Sequence, residues 1–277
     1  MIVFDFRPPS PNLQEFVRQY QIVGFEFKEN ETIPWKPYWP RAEYCLSFYP
    51  RETERVEYIN GQTEEDKPRS TIIGQPCTLT RKHVKNDFLI FQIVFQPGAL
   101  FRLTGIPAKE LTDTFIDAEA VFSGEINLVN ERLSSSGSHL EMINIVEEFL
   151  YFLIRRVKYE KKPIDKVSLY LLNNPKYPSF DWLASEACLS SKQFYLKFVE
   201  RMGVSPKMFA RLTQFHQAMI RKQLQPHKDW LSIALDLGYY DYQHLVRDFK
   251  EFTLLTPPAF FLEDNNAPER RFGYKEM

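Results

Sequence analysis

The sequence predicts an α+β chain of two domains, β-rich first and all-helical second. Three observations predict it. Short runs of β-branched and aromatic residues fill the first hundred positions, apolar spacing changes to three and four after Gly105, and one helix–turn–helix pattern occurs twice after residue 180. A chain of 277 residues is long enough to bury two cores.

The β part comes from Gln21–Phe27, Tyr44–Tyr49, Arg55–Asn60, Ser70–Ile73 and Phe88–Phe95, each bounded by Pro, Gly, Asn or charged residues. No helical crossover fits between these runs, so the expectation is an antiparallel sandwich or barrel. Gln62–Arg69 (QTEEDKPR) is expected as a charged surface loop. The strongest helix signal is His139–Val157. There Ile143, Val146, Leu150, Leu153 and Val157 repeat at coiled-coil spacing, beside a second stripe of Met142, Ile145, Phe149 and Phe152. Two readings stand: a homodimer seam through 139–157, or a helix buried on both sides within its own domain. Lys158–Pro163 is the expected break, giving domains 1–160 and 164–262, followed by a polar, poorly ordered tail 263–277.

After the break, a leading helix is expected over Asp165–Asn173. In the first unit, Leu183, Ala184 and Ala187 face inward and Cys188–Leu189 turns. Ser190 then caps a second helix anchored by Phe194, Phe198 and Met202. Lys192, Leu196 and Val199 fall on its far face, with Gln193 and Tyr195 flanking. In the second unit, Ile233, Ala234 and Leu237 face inward, Gly238 turns, and Asp241 caps a helix anchored by Leu245, Phe249 and Phe252. Gln243, Arg247 and Lys250 lie opposite those anchors. An amide, a guanidinium and an ammonium on one exposed stripe suit base edges and phosphates. Ser205–Pro206 opens a connecting helix through Gln225 that would span roughly 30 Å, close to the spacing of successive major-groove segments. The expected partner is double-stranded DNA.

Charge and composition agree with this. The net charge is −1, but residues 163–262 carry +3 against −3 for residues 1–162. No apolar run is long enough to span a membrane, and no signal peptide is read at the N-terminus. Cys45, Cys77 and Cys188 are scattered, as reduced cytoplasmic thiols would be. His83 and His139 are too far apart for a metal cluster, and no P-loop, GxSxG, HExxH or dinucleotide fingerprint occurs. No catalytic residue, metal or cofactor is therefore assigned, and the chain is read as no enzyme. Trp35, Tyr38, Trp39, Glu43 and Tyr44 are the candidates for lining a small-molecule effector pocket.

Residues 165–261 resemble the DNA-binding domain of AraC/XylS-type transcriptional regulators. The likeness rests on Leu189, Ser190, Phe194, Phe198, Gly203, Ser205 and Pro206. It continues with Ile233, Ala234, Leu237, Gly238, Tyr239, Asp241, Leu245, Arg247, Phe249, Lys250, Thr256 and Pro257. The resemblance implies base-reading positions at Lys192, Tyr195 and Leu196, then at Tyr242, Gln243, Val246 and Arg247. Position 196, commonly arginine, is leucine here, and the glycine usual before Thr256–Pro257 is absent. Pro9–Tyr20 and Phe95–Leu111 resemble a domain of unknown function that precedes this reader in one subgroup, implying a cupin-like barrel with a helical C-terminal part. The alternative function is a cupin-like small-molecule-binding protein or enzyme whose helical domain no longer binds DNA.

Overall fold

The computed structural model describes residues 2–59, 65–174, 176 and 179–274. Its strands are β1 (Ile2–Arg7), β2 (Val17–Glu26), β3 (Lys36–Tyr38), β4 (Cys45–Phe48), β5 (Glu54–Tyr58), β6 (Glu65–Asp66), β7 (Ser70–Ile73), β8 (Thr80–Val84), β9 (Asp87–Phe95) and β10 (Phe115–Asp117). The helices are α1 (Ala99–Thr104), α2 (Glu119–Phe122), α3 (Gly124–Ser134), α4 (His139–Ile154), α5 (Pro163–Asn173) and α6 (Phe180–Glu186). They continue with α7 (Ser191–Met202), α8 (Pro206–Leu224), α9 (Trp230–Asp236), α10 (Tyr242–Thr253) and α11 (Pro257–Asp264).

All strand pairs are antiparallel, but they do not close into a barrel. They form a six-stranded sheet ordered β1-β2-β9-β4-β7-β10 and a separate four-stranded sheet ordered β3-β8-β5-β6. The period of two decides what each face of the large sheet meets. Tyr20, Ile22, Phe91 and Ile93 pack into the main core with Ile126 and Val129 of α3 and Val146 and Leu150 of α4. The alternate residues Gln21, Val23, Phe25, Phe88, Ile90 and Gln92 face a cavity instead.

Three expectations are corrected. On α4, Ile143, Val146, Leu150 and Leu153 are all buried within the chain, as are Met142, Ile145 and Phe149. That helix is sandwiched on both sides, so this seam is not free to meet a second copy. Within the expected charged loop, Glu65–Asp66 form β6, and Lys67 is buried with its Nζ 2.7 Å from Glu54 Oε1; residues 62–64 lie outside the described residues. The tail is built into the fold: Asp264, Ala267 and Glu269 are buried, and Pro268–Phe272 form a 3-10 turn.

Candidate nucleic-acid interface and ligand cavity

Each helix–turn–helix unit is assembled from local rules. In the first, α6 ends in a turn where the Leu189 N–H donates to Ala184 O at 3.0 Å, with Cys188 in the left-handed region at φ +56°. In the second, the Tyr239 N–H donates to Ala234 O at 3.0 Å, with Gly238 at φ +86°. Ser190 Oγ accepts from the Gln193 N–H, and Asp241 accepts from the His244 N–H, so both caps form where expected. Ser205 caps α8, which runs 19 residues behind Pro206.

The second helix of each unit buries its anchors and exposes the opposite stripe. Phe194, Phe198 and Met202 are buried on α7, and Leu245, Phe249 and Phe252 on α10. Lys192, Gln193, Tyr195 and Leu196 are exposed on α7, Leu196 by 57%. Gln193 also closes the capping box, its Oε1 accepting from the Ser190 N–H at 3.3 Å, so its side chain is partly committed. On α10, Gln243, Arg247 and Lys250 are exposed, with Tyr242 and Val246 half-buried at the edge. Where the glycine before Thr256 is absent, Leu254 itself takes the left-handed conformation, φ +64°, at the end of α10.

Two sets of ion pairs anchor these helices, the first buried and the second partly open. Arg201 on α7 reaches both carboxylate oxygens of Asp165 on α5, at 2.8 and 2.9 Å, and both side chains are almost fully buried. Arg211 on α8 holds α10 through Asp248 at 2.6 Å and Glu251 at 2.5 Å. Burial raises the Asp248 carboxyl above its ordinary value despite Arg211, while the guanidinium holds the more open Glu251 down. The Tyr239 hydroxyl donates to the other Asp248 oxygen at 3.0 Å. Arg201 and Asp248 were missed in the sequence. The available signal was a charge at an apolar-stripe position, three residues beyond Phe198 and Leu245 respectively.

A cavity of about 270 Å³ lies between the two sheets. Its floor is β2 and β9, its sides carry Arg18, Lys36, Arg41 and Lys82, and α5 and α8 contribute Leu172, Asn173, Thr213, His216 and Gln217. Buried Glu54 accepts from Lys67 at 2.7 Å and from Tyr49 at 2.9 Å, and lies 3.1 Å from Lys82 Nζ. Burial would raise the Glu54 carboxyl, but these two ammoniums hold it down at about 2; burial lowers Lys82 to about 8. Of the five proposed effector residues, Tyr38 and Glu43 line this cavity. Trp39 instead packs edge-on against Phe260 of α11. The Tyr44 hydroxyl donates to Met202 O at the end of α7, and Trp35 lies under Arg81. The last three therefore support the fold and the seat of the helical part. Among the described residues, no group of three His, Cys, Asp or Glu gathers as a metal ion needs, and no helix is long and apolar enough to cross a membrane.

Residues 183–262 match the family model described as a helix-turn-helix domain, and residues 6–117 match a domain of unknown function, DUF6597. An uncharacterised HTH-type transcriptional regulator of Haemophilus influenzae is 27% identical over 127 residues, covering 44% of this chain and 39% of that protein. The matched stretch thus spans well under half of that relative. Among solved structures, ToxT from Vibrio cholerae aligns at 8% identity over 88% of this chain and 98% of its own, with a TM-score of 0.49. The DNA-binding domain of AdpA, solved with a target DNA, aligns at 19% identity over 41% of this chain and all of its own, with a TM-score of 0.36.

Proposed function

We infer that this chain, whose residues 183–262 are an AraC-type helix–turn–helix domain, is a sequence-specific DNA-binding transcriptional regulator. One observation carries the reading: α7 and α10, each held by an Arg–Asp pair and packed beside the connecting helix α8, bury their apolar anchors and turn the opposite stripes to solvent. At 1.5 Å per residue the 19 residues of α8 span roughly 28 Å. Two units joined in tandem in this way would serve as two heads for successive major-groove segments. Lys192, Tyr195 and Leu196 would face bases in the first segment, and Tyr242, Gln243, Val246 and Arg247 in the second, with Lys250 on a phosphate. Leucine at 196 has no hydrogen-bonding group, so the first segment would be read through thymine methyls and shape.

The β-rich residues 1–160 serve as the sensor, with the cavity as the effector site and the helical residues 164–262 as the reader. The cavity touches α8, so an occupant would bear directly on the element joining the two heads. Selection of bound duplexes from a random DNA pool tests the reading. The expected result is two preferred blocks about one helical turn apart, the second more sharply defined. Recovery of no enriched sequence would refute it.

A further inference from the structure

Between β3 and β4 the chain has no regular structure, yet all six residues from Trp39 to Tyr44 are buried. Connections ordinarily run over the surface, because buried backbone must find partners. Here it finds them. Arg41 Nε donates to Trp39 O at 3.4 Å, and the Phe95 N–H donates to Tyr44 O at 2.9 Å. Arg41 O accepts from the Glu43 N–H at 2.9 Å and from Gln75 Nε2 at 2.5 Å. The Arg41 guanidinium also lies 4.7 Å from the centres of the Tyr38 and Trp39 rings. The segment is thus held in one shape by its own hydrogen bonds and those of β9 and Gln75.

Its two ends meet different reader units. At one end the Tyr44 hydroxyl donates to Met202 O, one of the last-turn carbonyls that α7 cannot satisfy by itself. Beside it Thr112 Oγ1 donates to Gly203 O at 3.0 Å. Gly203 sits at φ +72°, and a Cβ there would lie 2.9 Å from Ala108 O, so the end of α7 is closely seated on the β-rich part. At the other end Trp39, fully buried, meets Phe260 of α11 edge-on, with ring centroids 6.1 Å apart. Phe260 packs in turn against Phe249, an anchor of α10, at 6.3 Å. Met202 is likewise an anchor of α7. Between these ends Arg41 and Glu43 line the cavity.

The connector α8 is therefore one of two links between the reading helices. A lone helix can curve along its length, and units packed on it can rock about their contacts. A second tie closes the loop and removes that freedom. We propose that Trp39–Tyr44 is a spacer that sets the separation and relative rotation of α7 and α10, which makes Trp39 and Tyr44 positioning residues for the gap between two operator blocks. Each base pair added to that gap moves the second block by about 3.4 Å and turns it by about 34° around the duplex. Heads held at one separation and one rotation follow neither change. This rests on the reading of the chain as a two-headed DNA binder.

The test uses the full chain and the two-block duplex recovered by selection, with the gap at its selected length and one or two base pairs shorter or longer. Wild type is expected to lose about tenfold in affinity for each base pair of change, as for a mismatched base pair. Tyr44→Phe removes only the hydroxyl that holds Met202 O, and Trp39→Phe draws the ring back from Phe260. Each is expected to cut that loss to about threefold or less, with base preference inside each block unchanged. Thr112→Val, at the rim of the same seat, replaces Tyr44→Phe if circular dichroism shows that variant unfolded. Tyr49→Phe is the control: it removes an equally buried hydroxyl that donates to Glu54 instead, and should keep the wild-type spacing profile. A wild-type protein indifferent to the gap overturns the proposal whatever the variants do. Profiles equally steep in wild type and in the folded seat variants overturn it, as does a profile flattened as much by Tyr49→Phe. In all three results two blocks are still found, so reading by two heads stands; recovery of no two-block site removes both.

Discussion

Arg247 stands exposed on α10, opposite Leu245 and Phe249, which are fully buried. Arg247→Ala is expected to cost about 1–3 kcal/mol of affinity for the selected site and to relax preference at one base pair. A titration showing unchanged site preference would take Arg247 off the reading face. Lys250→Ala should weaken every sequence alike and flatten the salt dependence by about one charge, which the slope of log affinity against log salt reads directly. Leu196 is exposed rather than tucked against the β-rich part. Leu196→Arg should therefore tighten DNA binding and favour guanine in the first block, at a stability change within about 0.5 kcal/mol. Cys188 occupies the left-handed position that Gly238 fills in the second unit. Cys188→Gly is expected to stabilise the fold by roughly 0.5–1 kcal/mol, because relief of side-chain strain outweighs the added freedom of the unfolded chain. A lower denaturation midpoint would contradict that account.

At the scale of elements, the buried pair between α5 and α7 sets the first recognition helix. Asp165→Ala leaves the Arg201 guanidinium enclosed without its carboxylate, and should cost about 3–5 kcal/mol in chemical denaturation. Helix α4 gives a sharper contrast. Leu150 is fully buried, so Leu150→Glu should unfold the chain rather than release a folded monomer, and circular dichroism separates the two outcomes. What could be read in advance followed from local rules. Ser190, Ser205 and Asp241 cap the helices they were expected to cap, because capping needs only a side chain and the next turn's N–H groups. The runs Ser70–Ile73 and Phe88–Phe95 became β7 and β9, with one residue added to β9. What could not be read depended on distant partners. β8 pairs with β3 and β5, well before it in the chain, and carries charge, as in TRKHV. Period alone did not say whether the second stripe of α4 meets its own domain or another copy. The polar composition of the tail hid the fact that Glu269 finds Lys36 more than two hundred residues away. Likewise, aromatic composition pointed at five cavity residues where the strands place only Tyr38 and Glu43.

One large apolar cluster runs from Val3 through α4 and α5 to Phe260, with two smaller ones beside it in the β-rich part. Its pH dependence is set where the small sheet buries charge. Glu54 is held at about 2, below the ordinary carboxylate value of 4.5. A depressed acid contributes stability above its unfolded value and loses it as pH falls toward the folded one. The melting temperature should therefore drop between about pH 4.5 and 2, and Glu54→Gln should flatten that part of the curve while lowering stability at pH 7. A variant as acid-sensitive as wild type in that window would assign the effect elsewhere.

Arg201 and Asp248, which seat α7 and α10, are buried on the sides of those helices away from the exposed stripes. Arg201 and Asp248 orient the helices; Lys192, Leu196, Gln243 and Arg247 are bystanders to that task. The sequence a reader of this design prefers is thus free to drift without touching what holds it upright. Descendants of one such gene can acquire new operators by surface substitutions of small energetic consequence, while a single change at Arg201 or Asp248 is purged for stability alone.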